Sequence, residues 1–150
     1  MRPSPVDVVD GPAMQALGRQ LAGELHAGDL VIVSGGLGAG KTTLTQGIGD
    51  GLGVRGPITS PTFVIARVHP TLVGGPALVH ADAYRLGGAF EVDDLDLDAS
   101  LADSVTVVEW GEGLVERLAD ERLEVRIAVV DGSDVRRVTL VGVGPRWQSG

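Results

Sequence analysis

Cysteine is absent from this chain, which excludes disulfide frameworks and thiolate metal sites and leaves the redox compartment undecided. Histidine is scarce. His26, His69 and His80 are far apart in sequence, so a structural zinc site is not expected. Long apolar runs are missing too, and the start, Met1-Arg2-Pro3-Ser4-Pro5-Val6-Asp7, has no apolar h-region. Neither a membrane span nor a secretory signal is therefore expected, and a cytoplasmic location follows by default. No run of lysine or arginine occurs, so the chain is not expected to grip nucleic acid autonomously, because neutralising phosphates needs a basic surface. Lysine itself occurs once, at Lys41.

The composition is that of an ordinary globular protein, with 43% hydrophobic and 21% charged residues, enough to build a core without staples. Its length of 150 residues fits a single domain, with 145–150 as a frayed tail. Net charge is −8, and it is unevenly spread. Segment 82–103 carries the acids Asp82, Glu91, Asp93, Asp94, Asp96, Asp98 and Asp103 against the single base Arg85. Such a stretch suits a solvated surface, or a contact with a basic partner.

Hydrophobic patterning predicts a short strand at Val6–Val9. A helix opened by Pro12 follows, with Met14, Leu17, Leu21 and Leu25 on one face and Gly28-Asp29 ending it. Leu30–Val33 is a short β-branched apolar run, the mark of a strand buried on both faces. A glycine-rich loop comes next, then a helix over Lys41–Leu52 with Leu44, Ile48 and Leu52 on one side. After a loop at Gly53–Pro61, Phe63–Val68 and Pro76–Ala81 read as a hairpin. Residues 83–103 are ambiguous. Val105–Val108 reads as a second buried strand, and Glu112–Ala119 as a helix. Leu123–Val130 and Arg137–Val143, joined by Asp131-Gly132-Ser133-Asp134, form the clearest hairpin. The expected architecture is α/β: a parallel central sheet flanked by antiparallel strands, with helices on both faces.

Gly35-Gly36-Leu37-Gly38-Ala39-Gly40-Lys41-Thr42 fits the phosphate-binding pattern G-x-x-x-x-G-K-[ST] without a gap. From this composition about 0.002 accidental matches are expected, and the match falls between a buried strand and a helix. The spacing has a physical reason. Glycines let successive backbone N–H groups turn inward onto the phosphates, and the following helix presents its positive end. In this pattern Lys41 meets the β- and γ-phosphates and the Thr42 hydroxyl ligates magnesium, with Thr43 adjoining. Gly36, Leu37, Gly38, Ala39, Gly40, Lys41, Thr42 and Thr43 are thus the expected nucleotide-binding residues, and the chain reads as a P-loop nucleoside-triphosphatase. With Lys41 the only lysine, no Asn-Lys-x-Asp guanine reader can be built, which favours ATP over GTP.

A P-loop also needs an acid at the end of a neighbouring strand to hold the metal. Glu109 and Asp82 both qualify, one holding magnesium and the other orienting the attacking water; spacing does not divide the roles. The competing reading for each is a surface carboxylate at a strand end. Ser60 and Thr62, in Thr59-Ser60-Pro61-Thr62, can reach the metal or terminal phosphate, or serve as local caps in a turn. Trp110 either packs on the nucleotide or fills core, and Arg85 either meets phosphate charge or pairs with the surrounding acids.

The motifs Gly35-x-Leu37-Gly38-Ala39-Gly40-Lys41-Thr42-Thr43, Ser60-Pro61-Thr62, His80-x-Asp82-x-Tyr84-Arg85 and Glu109-Trp110, in this order, resemble those of the TsaE family. The resemblance covers about residues 10–140. It implies a weak ATPase, using ATP and Mg2+, that works with TsaB and TsaD. In that system TsaD transfers threonylcarbamoyl to adenosine 37 of ANN-decoding tRNAs, so tRNA is met only indirectly. ATP hydrolysis there supports repeated cycles rather than forming the modification. By position, Thr42 and Glu109 match the magnesium ligands, Asp82 the catalytic acid, and Ser60 to Thr62 a switch-like loop. The family usually has an acid after the first loop glycine, where this chain has Gly36; a cradle of backbone groups is expected to survive that change. The alternatives are a small-molecule P-loop kinase, for which segment 83–103 is short and acidic, and a nucleotide-dependent regulatory binding protein.

Overall fold

A computed structural model describes residues 6–35, 40–54, 66–82, 104–109, 122–130 and 135–144, with backbone alone at 66–68, 81 and 82. Nine elements run along them: β1 (Val6–Val8), α1 (Gly11–Ala22), β2 (Leu30–Gly35), α2 (Lys41–Leu52), β3 (Ala66–His69), β4 (Ala77–Asp82), β5 (Ser104–Glu109), β6 (Arg122–Val129) and β7 (Arg136–Val143). The strands form one mixed sheet in the order β1-β7-β6-β2-β5-β4-β3. Its centre is parallel, with β2 between β6 and β5 and β4 beyond β5. Antiparallel pairs close both margins: β7 on β6, β1 on β7, and β3 on β4. The parallel core with antiparallel margins expected from the sequence is therefore present.

Alternation along the strands explains the layering. Val31 and Val33 of β2, Val105 and Val107 of β5, and Leu123, Val125 and Ile127 of β6 point to one face. They join Met14, Leu17 and Leu21 of α1 and Leu44, Ile48 and Leu52 of α2 in one core. Both described helices thus cover the same face. Leu30, Ile32, Val79, Thr106 and Val108, in the alternate positions, are buried as well. The helix expected at 112–119 lies outside the described residues, as do segment 83–103 and the tail 145–150.

Local chemistry sets the helix limits. Asp10 caps α1, its Oδ1 accepting from the Ala13 N–H at 2.8 Å, and Pro12 sits in the first turn, where its missing N–H costs nothing. The helix ends at Ala22, earlier than the apolar spacing suggests. The chain keeps winding in tight i→i+3 turns, with Glu24 N–H to Leu21 O at 2.8 Å and Leu25 N–H to Ala22 O at 3.2 Å, so Leu25 still reaches the core. Helix α2 has the limits read from the sequence.

The two helices touch through backbone. A Cβ on Gly47 would lie 2.1 Å from the Gln15 carbonyl oxygen, and one on Gly18 would lie 2.4 Å from that of Leu44. Glycine at both positions lets α1 support α2 at close range and so fixes where the amino end of α2 sits.

Candidate functional site

The site forms where β2 stops and α2 starts, at the carboxyl edge of the parallel strands. Gly40 precedes α2 with φ 108° and ψ 18°, left-handed backbone that side chains rarely adopt, and it brings no side-chain cap to the helix. Helix geometry gives the first-turn N–H groups no intrahelical acceptor, so this end carries partial positive charge. Residues 36–39, which complete the glycine-rich stretch, lie outside the described residues; of the eight expected nucleotide-binding positions there, Gly40, Lys41, Thr42 and Thr43 are described.

Lys41 is 7% exposed, and its Nζ donates to the Gly35 carbonyl at 2.7 Å. The ammonium therefore ties the last residue of β2 to the first turn of α2, holding both ends of the loop together. The Thr45 hydroxyl donates to the Lys41 carbonyl at 2.9 Å, one turn on within the buried side of the helix. Thr42 projects toward the sheet, its Oγ1 lying 3.5 Å from Oε2 of Glu109.

Glu109 ends β5 and is 5% exposed. Its Oε2 also meets Nε2 of His80, which is fully buried in β4. The register explains the meeting: His80 is the partner of Val107, so Glu109 stands two residues further along the neighbouring strand on the same face. Asp82, the other sequence-predicted acid, is the direct register partner of Glu109. The structure thus brings Lys41, Thr42 and Glu109 to one edge and sets Asp82 beside them in the sheet. Ser60, Thr62 and Trp110 lie outside the described residues.

His80, part of the motif His80-x-Asp82-x-Tyr84-Arg85, joins the site without a role expected for it. The alternation in β4 was available, but the pairing of β4 with β5 that aims its ring at Glu109 was not.

The donor set bears on which metal fits. Among the described residues no group of three or more His, Asp or Glu can hold a metal ion. One hydroxyl and one carboxylate, Thr42 and Glu109, converge instead. That suits magnesium, which prefers oxygen donors and is commonly held by one or two carboxylates together with phosphates and water. Lys41 and the amino end of α2 supply the complementary positive charge for an anion.

The arrangement is that of an α/β protein with its candidate site outside the carboxyl ends of parallel strands, at the start of a helix, where ligands of such folds commonly bind. Comparison with known proteins narrows this. The family model for threonylcarbamoyl adenosine biosynthesis protein TsaE matches residues 9–138. The chain is similar to the tRNA threonylcarbamoyladenosine biosynthesis protein TsaE of Streptomyces coelicolor, 67% identical over 138 residues, covering 89% of this chain and 93% of that one. The protein of the same name from Mycobacterium bovis is 54% identical over 130 residues, covering 82% and 77%. The crystal structure of Bacillus subtilis YdiB is similar with a TM-score of 0.74 and 33% identity, covering 95% of this chain and 87% of that one. The chain belongs to the TsaE family. No described helix is long and apolar enough to cross a membrane.

Proposed function

We propose that this chain is a P-loop ATPase that uses ATP and Mg2+ to support repeated turnovers of the TsaB–TsaD transferase, which installs threonylcarbamoyl on adenosine 37 of ANN-decoding tRNAs. The observation that carries the ATPase reading is the joining of Lys41 to the Gly35 carbonyl across the two ends of the glycine-rich stretch, beside the Thr42–Glu109 pair. The relatives' names supply the pathway. Activity alone is weak and partners raise it, tRNA is met through the complex, and the work is cytoplasmic.

In this reading the backbone of residues 36–40 and the first turn of α2 receive the phosphates, and Lys41 lays its ammonium against the terminal ones. Thr42 and Glu109 hold the magnesium. Bound magnesium supplies charge neutralisation on the phosphate oxygens. Asp82 orients the attacking water, and Ser60 and Thr62 respond to the terminal phosphate. Gly36 contributes only its backbone, so the usual acid of the family at that position is not needed for binding.

The deciding experiment is reconstitution of threonylcarbamoyl transfer to tRNA by TsaB and TsaD with and without this chain, comparing one turnover with many. The expected result is an unchanged first turnover and continued cycling only when the chain and ATP are both present. Equal cycling without the chain, or phosphate appearing on a small metabolite instead of as free inorganic phosphate, overturns the reading.

A further inference from the structure

We propose that His80 is a positioning residue: its Nε2–H holds the Glu109 carboxylate in the orientation in which it meets Thr42, so that the pair receives magnesium with little rearrangement. This rests on Thr42 and Glu109 being the magnesium holders.

The setting of the ring argues for a polar task. His80 lies mid-strand, fully buried, at a position that alternation gives to the core face; Leu78, two residues earlier, is part of the hydrophobic core there. An aliphatic side chain would fill such a position with no polar atoms to satisfy. The imidazole instead has one nitrogen, Nε2, on Oε2 of Glu109, while Nδ1 is buried with no hydrogen-bond partner among the described residues. A carboxylate only accepts, so Nε2 is the donor in this contact. A buried polar ring is unfavourable without such a partner, and the contact to Glu109 supplies one.

That contact acts where orientation matters. Glu109 carries three rotatable side-chain bonds, and its Oε2 is approached from two elements: His80 from β4 and Thr42 from the first turn of α2, the latter at 3.5 Å. A carboxylate fixed in this way has lost its rotamer freedom before a cation arrives, so less binding energy goes into ordering it. Hydrogen-bond partners behind a metal ligand act in this manner generally, and their loss weakens metal binding without removing a ligand.

The test uses the full chain with a non-hydrolysable ATP analogue and Mn2+ as a paramagnetic substitute for magnesium, followed by electron paramagnetic resonance. The variants are His80→Gln, whose amide reaches as far as Nε2, and His80→Asn, whose amide stops near Nδ1. Both bury a neutral amide, so a purely structural role would affect them alike. H80Q is expected to bind Mn2+ within about threefold of the parent, and H80N about 10- to 100-fold more weakly, with metal-free nucleotide affinity unchanged in both. Equal losses in the two variants, or parental Mn2+ affinity in H80N, overturn the positioning role. Failure of the parent chain to bind Mn2+ with the analogue overturns the magnesium assignment itself, and is read before any variant. Nitrogen-15 NMR of the parent chain gives a result independent of variant folding: a proton on Nε2 supports the role, and a ring protonated only at Nδ1 overturns it.

Discussion

Asp82 and Glu109 are register partners at the ends of β4 and β5, so two carboxyl-bearing residues distant in sequence stand side by side in the sheet. Parallel neighbours lie about 4.8 Å apart, close enough to serve one ligand while doing different things. With Thr42 beside Glu109, the proposed function gives the metal-holding role to Glu109 and the water-orienting role to Asp82. Replacing Glu109 by Gln is expected to raise the magnesium concentration for half-maximal hydrolysis about tenfold or more. Asp82→Asn is expected to lower kcat about 100-fold or more at an unchanged magnesium requirement. Phosphate release measured across a magnesium titration separates the two, and an identical profile for both variants would contradict the division.

Lys41 is buried and hydrogen-bonded to the Gly35 carbonyl, so its ammonium is held in place at the start of α2. A hydrogen bond to a charged group contributes about 1.5–3 kcal/mol. Lys41→Ala is expected to weaken ATP binding about 10- to 100-fold. Lys41→Arg does not restore it, because the planar guanidinium is wider than the ammonium this enclosed position accommodates. Isothermal calorimetry with Mg-ATP measures both.

The backbone contact between α1 and α2 makes Gly47 sensitive. Alanine there improves helix propensity by about 1 kcal/mol, but its Cβ would lie 2.1 Å from a carbonyl oxygen that cannot swing away as a side chain end can. The overlap should dominate, destabilising by about 3 kcal/mol and lowering Tm by about 10 °C. Gly11→Ala, where nothing lies within 4 Å of the added carbon, should change stability by less than about 0.5 kcal/mol. Thermal unfolding of the two variants compares them directly.

At the sheet margin, Arg137 clasps its register partner Asp7 with Nε to Oδ1 at 3.0 Å and Nη2 to Oδ2 at 3.4 Å. The hydrogen bond from this guanidinium, more than its charge at a distance, holds the Asp7 carboxyl below its ordinary value, while Asp7 raises Arg137 in turn. A depressed carboxylate favours the folded state above its unfolded value near 3.9, and that contribution disappears as pH falls through the lower folded value. A carbon-13 titration should show Asp7 ionising below the usual range, and Arg137→Ala should bring it back. Because the pair is exposed, the change in overall stability will be slight.

How far the sequence went depended on the range of the interactions. Period and capping are local, so α2 and the limits of β2 to within two residues were legible, as was the β6–β7 hairpin. The break between β2 and α2 was legible because the glycine-rich stretch that separates them is contiguous in sequence. Where α1 stops was less so: the apolar spacing continued to Leu25, but the helix gave way to tighter turns after Ala22 that still bury Leu25.

Local pattern alone sufficed for a lysine and a threonine at a helix start after a glycine-rich stretch, and for two acids each ending an apolar strand. Which strands are neighbours depends on burial summed over the whole sheet, and a window of sequence does not contain that sum. Only the tertiary structure paired β4 with β5, set Asp82 against Glu109, and brought the buried ring of His80 onto the carboxylate that Thr42 faces.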